Sequence, residues 1–154
     1  MSVAFRRESD EEHLEPKFER PIAPGPNLVT DAGLVLLGEA VTRAESAVAL
    51  ASDDAGREAA RRDLRYWQTR LTTARIAPAP AEGEIGIGSR VRLRLDGHER
   101  TVEIVGGDEA DPDRGLIGYA APLARALIGA GEGDVLPFGP RVDAIEILAV
   151  EERD

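Results

Sequence analysis

The sequence predicts an α+β protein: an antiparallel two-helix coiled-coil hairpin, then a small antiparallel sheet domain carrying one helix. Three observations predict it. Two consecutive runs place small or apolar residues at alternating spacings of three and four, with a short polar break between them. A Pro/Ala/Gly stretch then separates these runs from several short segments of alternating apolar and polar residues. Among those segments lies one compact apolar helix, opened by a proline and closed by a glycine.

Residues 1–28 precede the pattern. Pro16, Pro21, Pro24 and Pro26 forbid a long helix, and Phe5, Leu14, Phe18 and Ile22 are isolated apolar residues. The segment reads either as a disordered tail or as an extended strap that lays Phe18 and Ile22 on the folded body or on a partner.

Residues 29–77 form the expected hairpin. Thr30 suits an N-cap and Asp31 the positive helix end. Leu34, Leu37, Val41, Ala44, Val48 and Ala51 make the first seam, and Arg57, Ala60, Leu64, Trp67, Leu71 and Ala74 the second. Helices joined by so short a turn fold back on each other, with the tip at Asp53 and Asp54. Trp67 is expected in the core near the hairpin base. Arg57, Arg61, Arg62, Arg65, Arg70 and Arg75 make the second helix basic, either as a solvated face with pairs such as Glu58–Arg62 or as a docking surface for an acidic partner.

Residues 78–84, opening Pro78-Ala79-Pro80, form a stiff linker, and residues 85–152 the second domain. Val91-Arg92-Leu93-Arg94-Leu95 alternates as a half-buried strand, and Asp96-Gly97 turns it into Thr101–Val105. Leu116–Tyr119 is a short strand. Pro122 opens a helix whose Leu123, Ala126 and Leu127 face one side before Gly129 stops it. Val135–Phe138 is an edge strand because of Pro137. Val142–Val150 closes the sheet, with Val142, Ala144, Ile145 or Ile147, and Val150 pointing inward.

Composition excludes several function classes. A net charge of −10 gives no counterion release on nucleic acid, so direct nucleic-acid binding is not expected. The absence of cysteine removes disulfides, thiol nucleophiles and cysteine-based zinc sites. No apolar run matches a signal peptide or a membrane span, so a soluble, cytoplasmic monomer is expected. His13 and His98 lie in separate segments and suggest no metal site. Gly83-Glu84-Ile85-Gly86-Ile87-Gly88 precedes a strand rather than a helix and lacks the Lys-Ser/Thr of a phosphate loop.

Two stretches resemble a known family. Thr30-Asp31-Ala32-Gly33-Leu34, opening a coiled-coil hairpin, is similar to the start of the bacterial transcript-cleavage (Gre) elongation factors. Ile104-Val105-Gly106 with Asp108-Glu109-Ala110-Asp111, then Gly115-Leu116-Ile117, Ala121–Gly129 and Gly133-Asp134, resembles the signature of their C-terminal domain, which also occurs in the related nucleoside diphosphate kinase regulator. The resemblance covers about residues 29–150. It implies an FKBP-like C-terminal domain that docks on the rim of the secondary channel of RNA polymerase, with the hairpin pointing into the channel. Asp108, Glu109 and Asp111 read as a capping and turn cluster or as part of that contact. Pro122, Leu123 and Arg125 are the expected exposed docking patch.

In the cleavage factors, acidic tip residues help to hold Mg2+ in the polymerase's own active centre. Asp53, Asp54 and Glu58 are the candidates here, in a different local context and on an arm shorter by several turns. The expectation is therefore a regulator of elongation that is not itself an enzyme, has no cofactor beyond a Mg2+ shared with polymerase, and stimulates cleavage weakly. An active cleavage factor is the first alternative. A stand-alone FKBP-like isomerase or chaperone is the second, disfavoured because only Tyr119 and Phe138 supply aromatics to its pocket.

Overall fold

A computed structural model of the chain describes residues 18–152. Phe5, His13, Leu14 and Pro16 lie outside the described residues. Contacts divide the chain into two units, residues 1–25 with 37–73, and residues 26–36 with 74–154. The stretch expected as a linker, residues 78–84, falls inside the second unit.

Helix α1 spans Asp31–Leu50 and α2 spans Asp54–Thr73, as the two periodic runs predict; the first unit holds α1 from Leu37 onward and all of α2, and the first turn of α1 belongs to the second unit. The buried line of α1 differs from the expected seam. Gly33, Leu37, Ala40 and Ala44 are buried, whereas Leu34 is 38% exposed. Side-chain size misplaces the seam: Leu34 outranks Gly33 as an apolar residue, but close approach at Gly33 decides which face turns inward. On α2, Ala60 is buried and Leu64, Trp67 and Leu71 are half-buried. Trp67 is thus not a core residue. It meets the Tyr66 ring edge to face, with centroids 4.9 Å apart.

Residues 18–26 carry no regular structure. Their apolar side chains are not the anchors: Phe18 is 73% and Ile22 41% exposed. Glu19 and Arg20 touch α2 instead, through Arg65 and Asp63. Glu58 pairs with Arg65 at 3.3 Å rather than with Arg62.

The second unit holds two sheets. Strand β1, Asn27–Val29, pairs in parallel with β2, Ala74–Ile76, so Val29 lies opposite Ile76. A parallel pair needs a long crossover, and the helical hairpin supplies it. The larger sheet has the order β5-β4-β3-β7-β6, from β3 Ser89–Leu95, β4 His98–Val105, β5 Leu116–Gly118, β6 Val135–Phe138 and β7 Arg141–Glu152. All neighbours are antiparallel except β5, which joins β4 in parallel. The Asp96-Gly97 turn has positive φ at both residues, 51° and 85°, as a tight hairpin demands. Pro137 sits on the edge strand β6 as expected.

Helix α3, Pro122–Leu127, covers one face of this sheet. Leu123, Ala124 and Leu127 meet Val91, Leu93, Val102, Ile104, Ile145 and Ile147 in the core. Ala124 is fully buried, and Ala126 is half-buried against the same cluster. On β7 the register shifts between Arg92 and Leu93, whose partners are Ala149 and Ile147. Leu148 is the extra residue. This bulge lets Ile145, Ile147 and Val150 share the core side despite their uneven spacing. Val142 does not point inward; it is 80% exposed. The opposite face carries cross-strand ion pairs, Arg90–Glu103 and Arg94–Glu146 among them, worth about 0.5 kcal/mol each at this exposure.

Candidate functional site

The acidic tip is built as a helix start. Asp53 Oδ1 accepts the Gly56 N–H at 2.7 Å, and the Asp53 carbonyl accepts the Arg57 N–H at 3.0 Å. Asp53 is therefore the N-cap of α2. Asp54 is fully exposed, and its Oδ1 accepts from Arg57 at 3.1 Å. The Arg57 guanidinium also reaches the Ala51 carbonyl at 3.2 Å, closing the turn. Glu58 is held by Arg65. Each tip carboxylate thus has a local partner, and the described residues hold no cluster of three or more acidic or histidine ligands. His98 is exposed.

The Asp108–Asp111 turn is divided in role. Glu109 is 7% exposed and works inside the protein. Its Oε1 accepts the Thr30 hydroxyl proton, and its Oε2 accepts the N–H groups of Thr30 at 3.2 Å and Gly106 at 3.0 Å. Thr30 Oγ1 in turn accepts the Gly33 N–H at 3.0 Å, as the N-cap of α1. A Cβ on Gly33 would stand 2.2 Å from Glu109 Oε2, and one on Gly106 2.7 Å from the Leu28 carbonyl. At Gly106 the obstacle is backbone and a side chain has no room, whereas at Gly33 a Cβ would displace the Glu109 carboxylate from its hydrogen bonds. The Tyr119 hydroxyl donates to the Pro26 carbonyl at 2.9 Å and accepts from the Leu28 N–H at 3.4 Å. These contacts lock β1 and the first turn of α1 to the sheet domain, all within one unit.

This clamp joins the two stretches of the sequence that resemble one family. Sequence reasoning placed Thr30 as a cap and Glu109 in a turn, but did not bring them together. It missed Gly33, Gly106 and Tyr119 as partners. A glycine three residues after a helix N-cap, where alanine would favour the helix, was the available signal.

Asp111 shapes the turn with its backbone, exchanging N–H···O=C bonds of 2.8 and 3.1 Å with Leu116. Asp108 is half-buried. Pro122 and Arg125 are exposed and lie three apart on α3. Leu123, expected beside them on the surface, is 9% exposed and belongs to the core. It is buried because the i, i+1, i+4 face of α3 is turned to the sheet. Of the residues expected at a docking surface, Pro122 and Arg125 are exposed and Asp108 and Asp111 are partly accessible. Beside the clamp opens a groove of about 240 Å³ of mixed polar and apolar lining, which includes Val29, Thr30, Asp31, Ile76, Pro80 and Ile87.

Comparison with known proteins places this architecture. Residues 80–152 match the family model described as transcription elongation factor, GreA/GreB, C-terminal. Transcription elongation factor GreB of Neisseria meningitidis is 42% identical over 96 residues, covering 58% of this chain and 59% of that protein. Transcription elongation factor GreA of Paracoccus denitrificans is 43% identical over 81 residues, covering 49% and 51%. The chain spans little more than half the length of these two relatives. The solved structure of GreA factor homolog 1 of Thermus thermophilus aligns with a TM-score of 0.39 and 24% identity over 82% of this chain and 99% of that one. Residues 80–152 are thus similar to the C-terminal domain of the GreA/GreB transcription elongation factors.

Proposed function

We propose that the chain is an RNA polymerase-binding regulator of transcription elongation, acting through the secondary channel without strong stimulation of transcript cleavage. The family domain at residues 80–152 supports the partner and the process. Pro122 and Arg125, with Asp108 and Asp111, supply the docking surface on the channel rim. The chain performs no chemistry of its own. A Mg2+ ion at the tip would be the polymerase's, not a resident cofactor. Nucleic acid is met only through polymerase, in the cytoplasm, and the regulator works as a monomer. Among the described residues no helix is long and apolar enough to cross a membrane.

The observation that carries the weak-cleavage reading is the occupation of Asp53 as the α2 N-cap. A carboxylate that ligates Mg2+ must approach to about 2.1 Å, and the cap commits Asp53 Oδ1 to the Gly56 N–H and ties the orientation of the carboxylate to the helix start. Cleavage of RNA in backtracked complexes tests it. The expected result is little cleavage above polymerase alone and no further loss in Asp53→Ala/Asp54→Ala. Robust cleavage that the double variant abolishes would establish the active-factor reading, which the full exposure of Asp54 favours.

A further inference from the structure

The segment before β1 lies outside the family resemblance, yet it makes a specific contact. The Arg20 guanidinium stacks 3.9 Å from the Tyr66 ring centroid and 5.4 Å from that of Trp67. Its Nη1 donates to Asp63 Oδ1 at 3.2 Å. Two aromatic faces and a carboxylate around one planar cation form a guanidinium-reading notch. One residue earlier, Glu19 accepts from Arg65 through both carboxylate oxygens, a bidentate pairing. The contacts advance in step: Glu19 meets Arg65, and Arg20 meets Tyr66 and Trp67. An extended Glu-Arg pair is thus read by one continuous patch of α2.

The side chains in these ion pairs are 41–57% exposed. Such pairs are individually weak, and the neighbouring Phe18 and Ile22 add no buried anchor. The strap is held by polar recognition alone and can be exchanged for a competitor of the same chemistry.

We propose that Asp63, Arg65, Tyr66 and Trp67 form a docking site on α2 for an extended protein segment carrying adjacent Glu and Arg, and that Glu19 and Arg20 occupy it in cis until such a segment displaces them. The charge pattern selects the occupant: an all-acidic segment would leave Asp63 facing like charge, and an all-basic one would do the same to Arg65. This proposal stands independently of polymerase binding.

Trp67 is the sole tryptophan of the chain, so its fluorescence reports the site directly. The test compares acrylamide quenching of the full chain with its Arg20→Ala and Arg20→Lys variants, and titrates each with a synthetic peptide of residues 17–26. Arg20→Ala is expected to raise quenching of Trp67 and to bind the peptide about tenfold more tightly than the full chain, because the cis competitor is gone. Arg20→Lys is expected to behave like Arg20→Ala, since an ammonium does not reproduce planar stacking plus a directed donor. Equal quenching in all three proteins, or equal peptide affinity for the full chain and Arg20→Ala, would overturn the proposal. Full protection of Trp67 by Arg20→Lys would overturn the guanidinium-specific notch.

Discussion

Glu109 and Gly33 illustrate how one residue explains another far along the chain. Glu109 offers its two oxygens to three donors, those of Thr30 and Gly106, and is itself largely buried. Glu109→Ala would strand the two N–H groups and is expected to lower stability by about 3 kcal/mol, measured by urea unfolding. Gly33 and Gly38 both lie in α1, yet alanine should act on them with opposite sign. At Gly38 an added Cβ meets open space, so Gly38→Ala should stabilise by about 0.5–1 kcal/mol through helix propensity. At Gly33 it would collide with Glu109, so Gly33→Ala should destabilise. Paired thermal melts check the contrast, and a stabilising Gly33→Ala would refute the clamp. Leu123 is similarly decided by burial: Leu123→Ala should cost about 2–4 kcal/mol, so loss of binding in that variant would report unfolding rather than docking.

At the scale of elements, the helices, the strands and most turns were legible because their signals are local. Thr30 caps, Asp96-Gly97 turns, Pro122 starts and Gly129 stops, each through its own backbone chemistry. What stayed hidden depends on partners distant in sequence. Leu37 and Ala44 of the α1 seam were legible, but Gly33 and Ala40 take the buried places read for Leu34 and Val41, and Gly33 is set by Glu109 in another segment. The inward face of β7 was ambiguous because its bulge is defined only by pairing with β3. Leu123 was misread because a short helix's buried face depends on the sheet beneath it. The break between the helices falls next to Asp53 and Asp54 as expected, but the capping and ion pairs of these residues emerge only from geometry. The strap adds a pH-dependent element. The hydrogen bond from Arg65 holds the Glu19 carboxyl below its ordinary 4.5 against slight desolvation, with Arg62 adding attraction, while Glu58 shares Arg65. A lowered value means that the contact contributes while Glu19 is ionised and fades as pH falls through that value. Quenching of Trp67 by acrylamide should therefore rise on acidification below about pH 4.5, and much less so in Glu19→Gln.

For the whole molecule, a family domain at residues 80–152 is tied by Glu109 and Tyr119 to the segment that launches a helical hairpin. Each 20-residue helix is about 30 Å long, so the arm is short, and its tip carboxylates serve the fold. The proposed activity then rests on docking rather than on chemistry at the tip. Arg125→Glu, which reverses an exposed charge on α3 without touching the core, should weaken polymerase binding while leaving the melting temperature within about 2 °C. The most direct test is gel filtration of the purified chain with RNA polymerase. Co-migration of the two, reduced by Arg125→Glu, is the predicted result; elution of the chain at its own volume in the presence of excess polymerase would contradict the account.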